Sequence, residues 1–580
     1  MSSSSAQASV PGNAPDLTVL PSTVSVMIVG GGPSGLALAI ELARREIDVC
    51  IIEKHQTKSS FSRALAIHPR TVETFEQIDP RISEKAINSG YIIPSINFQK
   101  SKSIRSITHI ETDPLQPYTK YPFVLGISQV VTEQILEDAL LDLGQPVHRG
   151  IELVDAAELN GTVTVTVAST VAPHQKRTIQ CKFLCGADGS RSKVRELFGI
   201  SFEGKNYAFS GLLADVTLDD QSRFAIDGPI MISPGRGMAF IAPMDGNIFR
   251  IITINPSLGR LPKDHVVTKE EIQASLNSLT NTGYVIKETH WLSVFGSQLR
   301  QAGTYRKGNV FLVGDAAHVH SPAGGQGLNT SIQDSYNLGW KLALYLKGQV
   351  PSSVLDTYHP ERHRVGADVL RVTDTLILGV MSSSWLVRVG LRGFLFILPM
   401  LKSLKVEYFR RIAGIAVNYR AKPAWAPLSR FWNWITGRSS KSALQAGDRL
   451  PDLDLLSDLP ESTAGRLSLY RALSLTTGFK FFLYAHTRSL SVAEIDRINS
   501  QLQLLKLSNV ARFAVIPFGD RLRCSLGMSV LIDYQYGFEH VLRQRHADYI
   551  LVRPDGYIAA IGNLFDPVAE TNRKLASWIA

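Results

Sequence analysis

The sequence predicts an α/β protein with three structured parts, and three observations lead to this prediction. A strand, a glycine-rich turn, a helix and a second strand follow one another near the N-terminus. Short alternating apolar runs, separated by glycine and proline, characterise residues 191–299 and indicate an antiparallel sheet. From residue 441 onward, strand-like and helical segments alternate again, with strands predicted at 479–484 and 511–516, a helical stretch at 491–505 and a hairpin near 551–558. The length of 580 residues agrees with this division, since chains beyond about 300 residues usually split into domains.

Composition and charge narrow the class of protein. The chain is 44% hydrophobic and 19% charged, which is typical of a globular protein with a large core. Its formal charge of +10 comes without a long Lys/Arg block or a nucleic-acid motif, so we expect no nucleic-acid partner and a basic surface that attracts anionic cofactors. The four cysteines form no CxxC, which argues against a zinc site or a disulfide framework and favours a reducing, cytoplasmic location.

Two segments raise the question of targeting. Residues 1–22 are rich in Ser, Ala and Pro and lack an apolar run, so they are predicted to be a disordered tail rather than a signal peptide. The most apolar stretch is 376–401, but Arg388 and Arg392 interrupt it and would be costly in a bilayer. We expect a buried helix between domains and no integral membrane span, with contact to a membrane surface as the alternative.

The first motif is the glycine turn GGGPSG at 30–35, which lies between a strand and a helix. Gly30 permits the tight turn, Gly32 lets a pyrophosphate approach the backbone, and Gly35 lets the helix pack against the strand. The free N–H groups at the helix start bind phosphate oxygens. Glu53 ends the next strand, where it can accept a bond from a ribose hydroxyl. The motif predicts a dinucleotide site but does not separate NAD from FAD.

The second motif, GDAAHVHSPAGGQGLN at 314–329, follows a buried strand and opens a helix. Asp315, at the end of the strand, can hold a sugar-like hydroxyl. The glycine-rich turn then brings the next helix's N-terminus close to a bound ring. The positive helix end would stabilise negative charge on that ring, and a reduced isoalloxazine carries such charge.

These motifs resemble those of the single-component FAD-dependent aromatic hydroxylases, the p-hydroxybenzoate and phenol hydroxylase family. The segment at 314–329 resembles that family's flavin-binding segment, and CGADGSRSKVR at 185–195 resembles its Asp-Gly motif. RALAIHPRTVE at 63–73 is similar to a segment common in polyketide and rifampicin hydroxylases, and Gln129 matches a polar residue that the family places near FAD. The resemblance covers residues 24–375, with the motifs in the family's order.

The resemblance implies a domain plan. It places a Rossmann-like FAD-binding domain at 23–190 and 300–400, with an antiparallel-sheet substrate domain inserted at 191–299. A helical linker at 401–440 would lead to a thioredoxin-like domain at 441–580. Because that last domain lacks CxxC, a structural or dimerisation role is favoured over redox chemistry, which leaves room for a homodimer.

The resemblance also implies which residues hold the cofactor. The expected cofactor-binding residues are Gly30, Gly32, Gly35, Glu53, Lys54, Arg63, Gln129, Asp188, Asp315, Gly325, Gly327, Leu328 and Asn329. Arg63 and Arg250 are the candidate catalytic residues. For Arg63 the alternative is a surface or interdomain salt bridge, and for Arg250 a side chain that points to solvent from the other face of the sheet. The spacing of His68, His318 and His320 fits no usual metal site, so no metal is expected.

The implied reaction is that of an FAD-dependent monooxygenase. NADPH or NADH would reduce FAD, O2 would form a C4a-hydroperoxyflavin, and a phenolic or polyketide-derived small molecule would be hydroxylated. Leu65 and Ile252 stand where phenol hydroxylase has an acid and a tyrosine, and neither can take a proton. Three alternatives stay open: an already acidic substrate, a different base, or Baeyer–Villiger or epoxidation chemistry on the same scaffold. The alternative to a monooxygenase is a flavin reductase that does not oxygenate its substrate, or a flavin-binding protein.

Overall fold

The structure of the protein is a computed structural model. It describes residues 14–58, 66–93, 95–99, 106–111, 113–219, 230–232, 237–244, 247–262, 265–280, 283–320, 324–382, 402–420, 444–457, 465–484, 510–517, 529–533 and 548–562, with isolated positions between 384 and 393 and between 535 and 542. The helices are α1 Pro33–Ala43, α2 Pro69–Ile78, α3 Pro80–Ser89, α4 Gln129–Asp142, α5 Lys193–Leu197, α6 Lys269–Leu279, α7 Gln326–Leu346, α8 Ser353–Asp356, α9 Tyr358–Met381, α10 Lys402–Ile412 and α11 Leu469–Ser474.

The strands are β1 Thr23–Val29, β2 Val49–Glu53, β3 Ala66–Ile67, β4 Tyr91–Ile93, β5 Ser95–Gln99, β6 Ser106–Glu111, β7 Val124–Gly126, β8 Val147–Arg149, β9 Ile151–Leu159, β10 Thr162–Ser169, β11 Lys176–Gly186, β12 Phe202–Leu218, β13 Ile230–Ile232, β14 Met238–Pro243, β15 Phe249–Ile254, β16 Ile286–Ala302, β17 Arg306–Lys307, β18 Val310–Leu312, β19 His318–Val319, β20 Asp454–Leu456, β21 Arg466–Ser468, β22 Lys480–Tyr484, β23 Ala511–Pro517, β24 Ser529–Asp533, β25 Tyr549–Val552 and β26 Ile558–Gly562. They form four sheets.

The first sheet has a parallel centre with strand order β18-β11-β1-β2-β8. Its central strands are almost continuously buried, as expected for parallel strands that are covered on both faces. Helix α1 packs against α7 and α4 to cover the sheet. The strand–turn–helix–strand pattern of the N-terminal motif is therefore the start of a Rossmann-like parallel sheet, as the sequence predicts.

The second sheet is predominantly antiparallel and has the order β19-β16-β12-β15-β14-β13-β5-β6. One face packs against α6, through a core that includes Leu212, Ala214 and Ile251. The sheet is not assembled from residues 191–299 alone, because β5 and β6 extend it from residues 95–111. A physical reason is that β13 would otherwise be an edge strand with unpaired backbone groups, and β5 pairs with it in parallel.

The C-terminal sheet has the order β21-β20-β24-β23-β22-β25-β26. Strand β22 runs parallel to β23 and antiparallel to β25, which pairs with β26, and this is the thioredoxin-like arrangement. The strands predicted at 479–484 and 511–516 are β22 and β23, and the predicted hairpin is formed by β25 and β26. The helical stretch predicted at 491–505 and Cys524 lie outside the described residues.

Two predictions about the segments outside the sheets need correction. Residues 14–22 of the predicted tail are ordered, because Leu17 and Leu20 are buried and the Asp16 carboxylate caps a short helical turn. In the apolar stretch, Leu378, Leu386 and Val389 are 49–63% exposed, so the prediction of a buried helix is wrong at these positions. Within the described ranges, no helix is both long and apolar enough to cross a membrane.

The C-terminal domain contains a buried acid with a consequence for stability. The Asp452 Oδ1 atom accepts a hydrogen bond of 2.9 Å from the Tyr470 backbone N–H. Burial, together with the nearby carboxylates of Glu76 and Glu73, raises the pKa of Asp452 to about 8. The folded state therefore holds a proton that the unfolded chain releases at a lower pH. The stability associated with this proton is lost as the pH rises through the folded-state pKa.

The asparagine side chain of the Asp452→Asn variant is neutral at every pH. We therefore expect the variant not to lose this part of its stability as the pH rises. Thermal unfolding of both proteins at about pH 5 and about pH 8.5 should show that the wild-type melting temperature falls relative to that of the variant. Other titrating groups cancel in this comparison. Melting temperatures that change in parallel would show that Asp452 does not titrate in this range.

Candidate active site

The predicted site residues meet at one edge of the parallel sheet. Strands β18, β11, β1 and β2 are neighbours and run in the same direction, so their carboxyl ends lie side by side. Asp315 follows β18, Asp188 follows β11, Gly30 follows β1, and Glu53 ends β2. This edge is where open α/β sheets bind their ligands.

The three motif glycines have different surroundings. Gly30 has φ +113°, and a Cβ atom there would lie 2.3 Å from the Ala187 carbonyl oxygen. A Cβ at Gly35 would lie 1.9 Å from the Gly30 carbonyl oxygen, so α1 could not pack so closely on the turn. At Gly32, the residue before α1, no atom of the described residues lies within 4 Å of such a Cβ. The turn is thus closed on the protein side and open at Gly32, which suits a pyrophosphate.

Glu53 is anchored to this turn. Its Oε2 atom accepts a 2.8 Å hydrogen bond from the Gly31 N–H, and its Oε1 atom accepts a 3.0 Å bond from the His55 N–H. Burial alone would raise the pKa of Glu53, but these donors lower it below the ordinary value. The carboxylate is ionised at neutral pH and can accept a bond from a ribose hydroxyl. The adjacent Lys54 side chain is exposed.

Asp188 provides a carboxylate oxygen that lacks a partner within the described part of the chain. Its Oδ2 atom accepts bonds from the N–H groups of Lys193 (2.6 Å) and Val194 (3.1 Å) at the start of α5. The Oδ1 atom is buried and unpartnered. The next residue, Gly189, has φ +78° and open space where a Cβ would be. A buried acceptor usually has a hydrogen-bond partner. An acceptor without one, beside open space, therefore fits a position that binds a donor group of a ligand.

The second motif places the start of the 21-residue helix α7 at the site. Gly325 precedes the helix in the left-handed conformation (φ +61°), and Gly325, Gly327 and Leu328 are half-buried. Asp315 is exposed in the short turn Gly314–Ala316. The first N–H groups of α7 have no intrahelical acceptor, so this end of the helix favours a ligand with negative character.

Asn329 has a side-chain role that sequence reasoning missed. Its buried Oδ1 atom accepts a 2.8 Å bond from the His68 N–H, and its Nδ2 atom donates to the carbonyl oxygens of Ala66 (2.9 Å) and Gly325 (2.7 Å). The His68 ring Nε2 lies 2.8 Å from the Gly324 carbonyl oxygen, and burial lowers the pKa of this histidine. We call His68 and Asn329 the His68–Asn329 clamp. It ties the start of α2 to the glycine turn before α7.

A second buried network supports the short turn Gly314–Ala316, which carries Asp315. The Asp334 carboxylate accepts bonds from His318 Nε2 (2.7 Å), Arg362 Nε (2.6 Å) and the Gly314 N–H (3.2 Å). Burial would raise the pKa of Asp334, but Arg362 and His318 lower it, so the carboxylate stays ionised. Asp334 is 16 residues from His318 and 28 residues from Arg362, so only the fold reveals that His318 of the 314–329 motif binds Asp334.

Two other predicted positions have partners within the protein. Gln129 Nε2 donates a 2.8 Å bond to Glu133 at the start of α4. Arg250 is fully buried and binds Asp215 through two hydrogen bonds, of 2.7 and 2.6 Å, with its guanidinium 5.5 Å from the centre of the Trp291 ring. In this cross-strand ion pair the guanidinium faces a carboxylate rather than solvent, so the solvent-facing alternative is wrong, and a catalytic role for Arg250 stays a prediction. Arg63 lies outside the described residues.

The sheet face opposite α6 is the candidate substrate face. Ile252 lies on this face with half-buried apolar neighbours, whereas Leu65 lies outside the described residues. Phe240 is the cross-strand partner of Ile252, and it packs in an apolar cluster with the half-buried Met231 and Phe295. Tyr207, which packs in the same cluster, donates a hydrogen bond to Asp374. Burial and Asp374 both raise the pKa of Tyr207, so its hydroxyl stays protonated at neutral pH.

Asp315 allows a direct test of the second motif. Because its side chain is exposed, Asp315→Ala should leave the apoprotein folded with an unchanged melting temperature. We expect FAD affinity to fall by about tenfold or more, as for the loss of a hydrogen bond to a charged group. Equilibrium dialysis with FAD measures this. Unchanged flavin retention would exclude Asp315 from the cofactor site.

Comparisons with known proteins agree with this geometry. Residues 23–373 match the family of the FAD binding domain. The 6-methylpretetramide 4-monooxygenase of Streptomyces rimosus is 35% identical over 404 residues, which cover 69% of this chain and 70% of the relative. The rifampicin monooxygenase of Streptomyces venezuelae is 33% identical over 347 residues, or 60% of this chain and 69% of the relative.

A solved structure extends the likeness to nearly the whole chain. An anhydrotetracycline hydroxylase from Streptomyces rimosus superimposes with a TM-score of 0.72 and 26% identity over 95% of this chain and 99% of that one. The expected family, fold class and FAD cofactor are confirmed by these comparisons. The chain belongs to the FAD-binding family of aromatic hydroxylases and is an FAD-dependent monooxygenase.

Proposed function

We propose that this protein hydroxylates a phenolic or polyketide-derived small molecule, with NADPH or NADH as reductant and O2 as oxidant. The proposal rests on a row of open glycines and carboxylate groups at the carboxyl edge of the parallel sheet, beside the start of α7. Gly32 and Gly189 are open there, and the Asp188 Oδ1 atom has no partner among the described residues. These features fit FAD.

Each group at this edge has a defined task in the proposal. The N–H groups at the start of α1 bind the pyrophosphate, the Glu53 carboxylate binds the adenosine ribose, and the Asp315 carboxylate binds the ribityl chain. Gly325 and Gly327 present the N-terminus of α7 to the ring system, where it stabilises negative charge. Bound FAD supplies the capacity to accept hydride from the nicotinamide and to activate dioxygen.

The substrate face supports a substrate that needs no help to lose a proton. Ile252 cannot accept a proton, the Tyr207 hydroxyl stays protonated, and Asp215 is neutralised by Arg250. Apolar side chains also exclude water, which would otherwise divert the oxidant to hydrogen peroxide. An acidic phenol or an enolised diketone loses its proton without a protein base, and its ring system suits an apolar face. Relatives that are named for 6-methylpretetramide and rifampicin support a phenolic or polyketide-derived substrate.

The test is NADPH and NADH oxidation by the purified flavoprotein against a panel of phenols and aromatic polyketides under heavy-isotope O2. We expect substrate-stimulated oxidation and one labelled oxygen atom in a new hydroxyl group. Acidic phenols should be the better substrates, and the rate should not depend on a protein base near neutral pH. The Asp315→Ala variant is the matched control, since it should lose both flavin and label incorporation.

The alternative reactions give different products. Label within a new ester or lactone would indicate Baeyer–Villiger chemistry, and label in an oxirane would indicate epoxidation. Nicotinamide oxidation without label in any product would overturn the proposal in favour of a reductase. Bound flavin without substrate-stimulated oxidation would favour a binding protein.

A further inference from the structure

The hairpin turn between β25 and β26 is buried, although turns normally lie on the surface. The turn consists of residues 553–556, Arg-Pro-Asp-Gly, which we call the RPDG turn. Arg553 is 0% exposed and Asp555 is 1% exposed. Gly556 has φ +79°, which lets the chain reverse in this confined space. The thioredoxin-like domain therefore inserts the tip of a hairpin into the FAD-binding domain.

The inserted turn carries charges that are neutralised within the interface. Arg553 donates to Asp555 at 2.9 and 2.6 Å and to Glu361 of α9 at 2.8 and 3.0 Å. Lys341 and Asn337, both on α7, donate to the same Glu361 oxygen at 2.8 and 2.7 Å. Burial alone would raise the pKa of Glu361, but Arg553 and Lys341 lower it to about 2. Breaking one member would leave a buried charge without its partner.

The RPDG turn also bridges two helices that begin at the cofactor site. Arg70 of α2 donates a 2.9 Å bond to the Asp555 carbonyl oxygen. The hydroxyl of Tyr336 of α7 lies 2.9 Å from the Pro554 carbonyl oxygen and 3.1 Å from the Gln77 side chain of α2. At their starts, the same two helices are joined by the His68–Asn329 clamp. The turn thus holds α2 against α7 through contacts at both ends of α2, at Arg70 and at Gln77.

We propose that the RPDG turn is a positioning element for the flavin site and that this is a function of the thioredoxin-like domain. By fixing α2 against α7, it fixes the spacing between His68 and the glycine turn that starts α7. The inference rests on the proposed role of the α7 N-terminus toward the isoalloxazine ring. A relaxed spacing lowers the population of the binding-competent arrangement, and the apparent FAD affinity falls by the same factor. The residues of the turn act without touching FAD.

The experiment uses two variants of the full-length chain. Asp555→Asn keeps the shape of the side chain but removes the charge that pairs with Arg553, and Tyr336→Phe removes only the bridging hydroxyl. The control is Ser275→Ala, which removes a buried 2.8 Å hydrogen bond to Thr253 on the α6 side of the antiparallel sheet. FAD binding to each apoprotein is measured by flavin fluorescence, and visible circular dichroism is recorded at saturating FAD. Melting temperatures of the apoproteins show the stability cost of each change.

We expect FAD affinity to fall about tenfold in Asp555→Asn and about threefold in Tyr336→Phe, with an altered flavin dichroism in both. Ser275→Ala should lower the melting temperature but keep wild-type affinity and dichroism. If Asp555→Asn does not fold, the result for Tyr336→Phe decides. The inference would be overturned if Asp555→Asn and Tyr336→Phe, where they fold, had lower melting temperatures but wild-type FAD affinity and wild-type flavin dichroism. A wild-type chain that fails to bind FAD would instead contradict the proposed function.

Discussion

Gly32→Ala is expected to weaken FAD binding strongly without destabilising the chain, whereas Gly35→Ala should destabilise the fold itself. The two glycines are three residues apart in one turn, but their surroundings differ. A methyl group at Gly32 meets no atom within 4 Å and projects into the space proposed for the pyrophosphate. A methyl group at Gly35 meets the Gly30 carbonyl oxygen at 1.9 Å, so α1 must move away from the turn.

The expected magnitudes separate the two variants clearly. For Gly32→Ala we expect about a hundredfold or greater loss of FAD affinity, since several phosphate hydrogen bonds are lost together. For Gly35→Ala we expect about 3 kcal/mol of destabilisation, at the upper end for overpacking, because the neighbour is backbone and cannot rotate away. Thermal unfolding of the apoproteins and FAD titration of those that fold provide both measurements.

Gly390→Ala is a matched control, because a Cβ there also meets no atom of the described residues within 4 Å. This variant should retain both wild-type stability and wild-type FAD affinity. Normal FAD affinity in Gly32→Ala would contradict the assignment of this glycine to the pyrophosphate. Normal stability in Gly35→Ala would show that α1 has more freedom than its packing suggests.

The second large effect is expected from Arg362→Met, which should destabilise the protein by about 3–5 kcal/mol. The substitution leaves Asp334 buried without its arginine partner, so the lowered pKa of this carboxyl should rise. Because Asp334 also binds the Gly314 N–H and His318, the turn that carries Asp315 should loosen and FAD retention should fall. Denaturant unfolding and flavin content are the two measurements.

The double variant Asp334→Asn with Arg362→Met provides the control for charge burial. It removes both members of the ion pair, so much of the stability lost in Arg362→Met should return. If the double variant were as unstable as the sum of the two single variants, the penalty would not come from an unpaired buried charge. The His318 contact would then be the better explanation.

The sequence alone was sufficient to predict the nucleotide-binding elements and their approximate boundaries. The turn at 30–35 and the segment at 314–329 consist of neighbouring residues, and their function depends on local backbone geometry. Glycines that reverse the chain, a helix that starts after them and an acid at a strand end produce the same geometry in any parallel sheet. Local geometry therefore predicts the parallel sheet and a dinucleotide site, and the resemblance of the motifs to those of the aromatic hydroxylases adds the family and the FAD cofactor.

The sequence was a poor guide wherever a side chain finds its partner across the fold. The sequence predicts that Arg250 faces either the substrate or solvent, and only the pairing of β15 with β12 brings Asp215 beside it. Asn329 and His68 are 261 residues apart, and no local pattern predicts their hydrogen bond.

The tertiary structure alone decided the environment of the C-terminal hairpin. The Arg-Pro-Asp-Gly sequence is typical of an exposed turn, yet all four of its residues are buried against the helices of another domain. The physical reason is that turn propensity depends on adjacent residues, whereas burial depends on the surface that packing brings against them. The glycine motif at 30–35 was predictable because its geometry is local, and the positions of Arg250, Asn329 and Asp555 were not, because their energies come from distant partners.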